Sequence, residues 1–473
     1  MSTVLLPDTP ITSLDEYVAS RDGGAALEQS RSVGAQRVLE EIDRSGLRGR
    51  GGAGFPAGRK WAAIAAGGPA VGRRYVAANG AEGEPGSFKD RLLMARNPYQ
   101  VLEGIQIAAE AVGAEAAFVA LKASFVDQID ALSRALREMV TAGMLGSIPI
   151  TIVTGPDEYL FGEEKALLEV IEGEDPLPRL FPPYLYGLFT TSPQMGWSAG
   201  SEVADMASPD AASNPTLATN VETLANVPAI VRHGADWYRG FGTPGSPGVA
   251  LFTVVGDTRR AAVRELELGT PLADVLERVG GGMRDGAALK MVLSGVANPV
   301  VRSDLVETPA SYEAMEGIGS GLGACGFIAY DDSRDAVSVA QMVSRFLYVE
   351  SCGQCPACKF GTGEITSYLD RIVAGAGDER DVEQIGARLR TVTDANRCFL
   401  GEQEQRVIGS LLRAFPEDFA AHLGVGGTET LPVPKIIEIV DEVARYDEKQ
   451  AHKRPDWTYA DAPLGHVVDP SEM

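Results

Sequence analysis

Histidine is scarce in this chain. His233, His422, His452 and His466 are the only four among 473 residues, they lie far apart, and none stands beside a glycine-rich or cysteine-rich stretch. Histidine-based catalysis and zinc–histidine sites are therefore disfavoured. Cysteine is scarce as well: there are five, three of them crowded into one short stretch. That is not a disulfide framework; it fits a reducing cytoplasm in which thiols stay free for metal. An excess of positive charge is lacking, and the formal net charge of -23 argues against a nucleic-acid backbone or an anionic membrane surface as partner. No run of about 18 uncharged apolar residues occurs, so no membrane span is expected. The opening MSTVLLPDTPITSLDEYV carries acids where a secretory leader carries a basic region, so no secretory signal is expected.

Glycine is abundant, at 54 residues, and 45% of the chain is hydrophobic, enough for about two to four packed domains. Residues 35–46, AQRVLEEIDRSG, read as an amphipathic helix closed by glycine. The densest glycine stretch, LRGRGGAGFPAGRKW at 47–61, follows. Helix-like and strand-like pieces then alternate through RYVAA, EGIQIAAEAV, AFVALKA, ALSRALREMV and IPITIV, the pattern of an α/β layer with a mostly parallel sheet. Residues 189–214, rich in Ser, Ala, Gly and Pro, read as a long surface loop. From Gly248, strand, strand, helix and strand signals predict a small α+β domain of β-grasp type. From Val337 to about Leu423, four helical segments predict a small bundle. The tail after Gly424 carries one expected helix, KIIEIVDEVARYD. The domains expected from this pattern are 1–245, 246–332, 333–424 and a tail, 425–473.

The stretch ESCGQCPACKFGT places Cys352, Cys355 and Cys358 at C-x-x-C-x-x-C spacing. Closely spaced thiolates let one loop wrap a face of an iron–sulfur cube, and Cys398, before a later helical segment, is the candidate fourth ligand. Four cysteines also bind zinc, but structural zinc sites more often use two separated C-x-x-C pairs. Both readings stand at this point, with a 4Fe-4S cluster favoured. Cys325 has no such company and reads as a small buried residue.

Gly49, Gly51 and Gly54 formally match G-x-G-x-x-G, but a helix rather than a strand precedes them, so a dinucleotide-binding turn fails on context. A run of glycine amides with Arg50 and Lys60 nearby can still cradle a phosphate, and a tight interdomain turn is the plainer reading. NGAEGEPG at 79–86 and YLFGEE at 159–164 each follow an apparent strand. Their acids can address ribose or ribityl hydroxyls, or can simply form a solvated turn and a favourable helix start.

Taken together, RGRGGAGFPAGRKW, NGAEGEPGSFKDR, YLFGEEKAL, PPY at 182–184, TNVETL and ESCGQCPACKFGT with Cys398 resemble, in order, the NADH-binding, flavin-containing subunit of respiratory complex I. The related diaphorase subunits of NAD-linked hydrogenases and formate dehydrogenases share the pattern. The resemblance implies a Rossmann-like α/β flavin domain, a β-grasp insert and a four-helix bundle carrying a 4Fe-4S cluster. It implies an NADH:acceptor oxidoreductase in which hydride passes from NADH to FMN, and single electrons pass to the cluster and on to a small thioredoxin-like 2Fe-2S partner within a larger oxidoreductase complex. That complex is expected in the cytoplasm or on the cytoplasmic side of a membrane. Cofactor contacts implied are Gly49, Arg50, Gly51, Gly52, Phe55, Lys60, Asn79, Glu82, Gly83, Glu84, Tyr159, Gly162, Glu163, Glu164, Tyr184, Thr219, Asn220 and Thr223, with Glu84 and Glu164 expected to be catalytic. Cluster ligands implied are Cys352, Cys355, Cys358 and Cys398. Ala81, Phe161, Lys165, Phe181 and Thr219 depart from the family pattern, which suggests a divergent paralogue. The alternative is an electron-relay or scaffold protein that keeps the cluster without NAD turnover.

Overall fold

Strands β1 (Tyr75–Asn79), β2 (Ala116–Lys122), β3 (Ile150–Gly155) and β4 (Thr216–Asn220) pair in parallel in the order β3-β2-β1-β4 in the computed structural model, which describes residues 3–66, 72–191, 212–425 and 430–459. Parallel pairing buries both faces of β1 and β2, which carry apolar and small residues at successive positions, whereas the edge strand β3 leaves Thr151 and Thr154 exposed. The helix Pro98–Val112 is buried almost all round. A Cβ at its Gly104 would lie 2.0 Å from the Leu224 carbonyl oxygen, so only glycine lets the two backbones approach this closely.

A five-stranded sheet follows. It comprises β5 (Val249–Gly256), β6 (Ala262–Glu267), β7 (Leu289–Ser294), β8 (Val301–Arg302) and β9 (Gly326–Asp331) in the order β6-β5-β9-β7-β8, with β9 parallel to β5. Period-two alternation assigns its two faces. Phe327 and Ala329 pack against the helix Leu272–Gly280, whereas Ile328 and Tyr330 join the core of the helical domain. That domain has four main helices, Ala336–Glu350, Pro356–Val373, Glu379–Leu389 and Leu400–Ala414. Asp378 and Asp381 form a reciprocal capping box that starts the third.

The expected tail helix is instead a hairpin of β10 (Ile436–Val440) and β11 (Val443–Tyr446). The spacing of Ile436, Ile439 and Val440 suits a helix, but the β-branched run suits a strand equally. Asp441 and Glu442 take φ of 50° and 62° and close a tight turn with positive φ at both central residues. The segment lies across all three units. Gly86 and Arg91 donate to the Pro434 and Ile436 carbonyls at 2.8 and 2.6 Å, and Ala261 donates to that of Glu442 at 2.6 Å. Lys453 reaches Glu350 at 2.8 Å, both about 1% exposed. Most of the expected 189–214 loop, residues 192–211, lies outside the described residues. Among the described residues no helix is long and apolar enough to cross a membrane.

Candidate functional site

From β1 the sheet winds outward through β2 to β3, and β4 is then laid on the opposite side of β1. The carboxyl ends of β1 and β4 therefore flank a topological switch point, where open α/β sheets bind ligands. Asn79 and Asn220 are register partners there. Asn220 donates to the Asn79 carbonyl at 3.4 Å, and Asn79 donates to that of Gly162 at 2.7 Å. A cleft of about 760 Å³ opens above them.

One wall is the glycine loop. Gly54 has φ of 61°, and a Cβ on it would lie 2.3 Å from the Tyr312 ring, while the Tyr312 hydroxyl donates to the Gly49 carbonyl at 2.7 Å. The amides of Gly51 and Gly54 find no acceptor among the described residues, and Lys60 stands on the next helix. Free amides in a nest, a helix start and an ammonium suit a phosphate group. Phe55, 54% exposed, presents an aromatic face into the cleft.

The acids differ in environment. Burial pushes the Glu84 carboxyl above its ordinary value, opposed by hydrogen bonds from Tyr159 (2.6 Å) and the Val296 amide (2.7 Å). Burial raises Glu163 to about 7 although it caps the helix Glu164–Ile171 by accepting from the Lys165 and Ala166 amides. Burial would raise Glu82 too, but Arg91 and Lys89 hold it below the usual carboxylate range. Glu164 pairs with Lys60 at 2.8 Å across the mouth.

Of the residues singled out in the sequence, Gly49, Gly51, Gly52, Phe55, Lys60, Asn79, Glu82, Gly83, Glu84, Tyr159, Gly162, Glu163, Glu164, Thr219 and Asn220 all line this one cleft. Three do not. Arg50 turns its buried guanidinium away, to Tyr238 Oη and the Val249 carbonyl, both at 3.0 Å. Thr223 accepts from the Arg50 amide at 2.8 Å, bracing the loop from behind. Tyr184 is 52% exposed and off the lining. The sequence reading missed the roof: Ser320–Ala324 and Asn298 from the β-grasp unit, and Leu400, Gln403 and Arg406 from the bundle. GSGLGACG was a visible glycine signal, but Gln403 carried none.

The departures fall into place locally. Ala81 is fully buried on the lining, and Asp90 supplies a carboxyl to the same cleft, raised to about 7 by burial. Phe161 fills core space against Gly155, and Lys165 bonds the Arg397 carbonyl beside the cysteines. Phe181 packs on Tyr186 with ring centroids 4.5 Å apart.

Cys352, Cys355, Cys358 and Cys398 share a second, smaller cavity with Leu160, Gly353 and Arg397. Burial and then the neighbouring cysteines push the Cys358 thiol up, and burial raises Cys398 to about 12. Thiols raised as those of Cys358 and Cys398 are ionise together only on a strongly charged metal group. Yet no three metal-binding side chains among the described residues converge on a point that would hold a single ion. The Arg397 amide approaches Cys355 Sγ at 3.4 Å, and Lys359 is held beside the loop by the Ser351 and Pro455 carbonyls at 2.7 and 2.5 Å. Leu160, Cys398 and Leu400 line both cavities, so a single wall separates them.

Comparison with known proteins bears on both cavities. Residues 42–229 match the Nuo51 FMN-binding domain, and residues 338–422 match the NADH-ubiquinone oxidoreductase-F iron-sulfur binding region. The second NADH-quinone oxidoreductase F subunit of Rhizobium meliloti is 35% identical over 399 residues, covering 82% of this chain and 88% of that one. The corresponding F subunit of Aquifex aeolicus is 34% identical over 420 residues, 86% and 91% of the two chains. Among solved structures, a chain of an NAD+-reducing NiFe-hydrogenase in its H2-reduced state superposes with a TM-score of 0.72 at 29% identity, covering 88% of this chain and 67% of that one.

Proposed function

The chain belongs to the F-subunit family of NADH-quinone oxidoreductases, and on that premise we propose how its two cavities divide the work of oxidising NADH. It is an NADH-oxidising electron-input subunit with FMN and a 4Fe-4S cluster, part of a larger oxidoreductase complex. FMN, when bound, accepts a two-electron hydride and releases electrons singly, and the cluster takes them one at a time.

The observation that carries the division is the shared wall of Leu160, Cys398 and Leu400 between the cleft and the cysteine cavity. On this reading the glycine loop from Gly49 to Gly54 and Lys60 hold the phosphate of FMN. Asn79, Asn220 and Glu163 address its hydroxyls and ring edge, and Cys352, Cys355, Cys358 and Cys398 hold the cluster. Phe55, Glu84 and Glu164 receive the nicotinamide dinucleotide: Phe55 offers a ring face, and the two acids accept hydrogen bonds from its hydroxyls and amide. For Lys60 to meet a phosphate, its pairing with Glu164 has to loosen. Arg50, Thr223 and Tyr312 keep the loop backbone in place rather than touching ligand. A small thioredoxin-like 2Fe-2S protein is the expected electron acceptor, and the cytoplasm the expected setting.

Anaerobic addition of NADH to the purified protein is expected to bleach its flavin absorbance; a flavin left oxidised would favour the relay reading instead. Glu84→Ala should lower kcat/KM for NADH by roughly tenfold to a hundredfold, the cost of losing a charge-assisted hydrogen bond. Flavin content should be unchanged, and equal loss of flavin and of NADH reactivity would count against placing Glu84 at the dinucleotide.

A further inference from the structure

Gln403 lies five residues beyond Cys398, in the first turn of the helix Leu400–Ala414, and is only 5% exposed. Its side chain points out of the bundle into the wall of the cleft. Its amide nitrogen donates to the Tyr159 hydroxyl at 2.6 Å, and that hydroxyl donates to Glu84 at 2.6 Å. The other Glu84 oxygen accepts from the Val296 amide at 2.7 Å.

The direction of this chain follows from its chemistry. The Tyr159 hydroxyl has a single proton and donates it to Glu84. The phenol oxygen then needs a donor, and Gln403 supplies it. The rest of Tyr159 is held by the same domain: its amide donates to Glu350 at 3.2 Å, and its ring meets Phe346 edge-on at 5.1 Å. Glu84 is thus clamped from two sides, by the β-grasp unit through Val296 and by the cluster-bearing bundle through Gln403 and Tyr159.

We propose that Gln403 is a positioning residue for the dinucleotide: acting through Tyr159, it fixes the Glu84 carboxylate toward the hydroxyl or amide donors of bound NAD(H). This rests on the assignment of Glu84 to the dinucleotide made above. Nothing in the glycine or cysteine motifs points to Gln403. It belongs to the helix that follows a cluster ligand, yet its action falls on the other cofactor's substrate. A neutral side chain suits this task, since it adds no charge beside an acid that burial already opposes.

The test is a double-mutant cycle on the full-length holoprotein. Gln403→Leu and Tyr159→Phe should each weaken NAD+ binding, measured by calorimetry on the oxidised flavoprotein, by about fivefold to tenfold. The NADH KM should rise in step, with a smaller change in kcat. Flavin content and the electron paramagnetic resonance of the cluster should stay as in the parent. The double variant should bind NAD+ no more weakly than Tyr159→Phe alone, because Gln403 acts only through the hydroxyl that this change already removes. Unchanged NAD+ affinity in Gln403→Leu, or single effects that multiply in the double variant, would overturn the proposal. Should Gln403→Leu fail to fold, Gln403→Met, closer in length and equally unable to donate, is read by the same criteria. Failure of the unmutated flavoprotein to bind NAD+ would overturn the underlying assignment of the cleft, so the two failures are told apart.

Discussion

Cys398→Ser will remove the 4Fe-4S cluster and leave FMN bound. Cys398 stands far along the chain from the other three cysteines, just before the helix Leu400–Ala414, and lines the same cavity. Burial pushes its thiol up to about 12, so without metal it stays protonated and supplies no charge to the fold. Its value lies in coordination, where the thiolate forms only against iron. Serine has a far less acidic hydroxyl and a harder oxygen, and it presents a poorer ligand in the same place. Iron content and the electron paramagnetic resonance of the dithionite-reduced protein should fall to near background. The glycine loop and Asn79 are anchored to β1, β4 and Tyr312, none of which needs Cys398, so flavin should remain stoichiometric. An undiminished cluster signal would refute this ligand assignment.

Lys453→Met should be the most destabilising single change in the C-terminal segment. Lys453 and Glu350 are each about 1% exposed and 2.8 Å apart, and Gln450 adds a hydrogen bond to Glu350 at 2.8 Å. Burial alone would raise the Glu350 carboxyl, but Lys453 outweighs it and holds the group below its usual value. Removing the lysine strands a buried carboxylate, at a cost of about 3–5 kcal/mol, far beyond the ordinary worth of a surface pair. Thermal unfolding monitored at the bundle should shift sharply downward. Lys453→Met combined with Glu350→Gln should recover much of the loss, since no charge is left unpaired. A single variant as stable as the parent would show that water reaches the pair in solution.

How legible this was depended on how local each feature is. The C-x-x-C-x-x-C triplet and the glycine loop are written in consecutive residues, and their types alone carry the chemistry. The α/β layer and the bundle follow from period, because a parallel strand buried on both faces and an amphipathic helix leave different traces. The roof of the cleft left little trace. Asn298 and Gln403 reach it from units far apart in sequence, and a polar residue on a helix looks the same whether it faces water or a cleft. Arg50 misled for a related reason: a cation in a glycine loop suggests a ligand contact, but its guanidinium is spent on Tyr238 and the Val249 carbonyl. The hairpin at 436–446 failed on ambiguity, since its apolar spacing satisfies both periods and only the turn geometry decides.

The order of synthesis gives the C-terminal segment a further consequence. Lys453 follows Glu350 by 103 residues, so at roughly 5–20 residues per second the glutamate exists for about 5–20 s before its counter-ion is made. Through that interval the loop bearing Cys352 borders a carboxylate that cannot yet be buried favourably, and the clasp across flavin domain, β-grasp unit and bundle is missing. Only when the segment that carries Lys453 has been made can Glu350 be buried as an ion pair and the three units be clasped together.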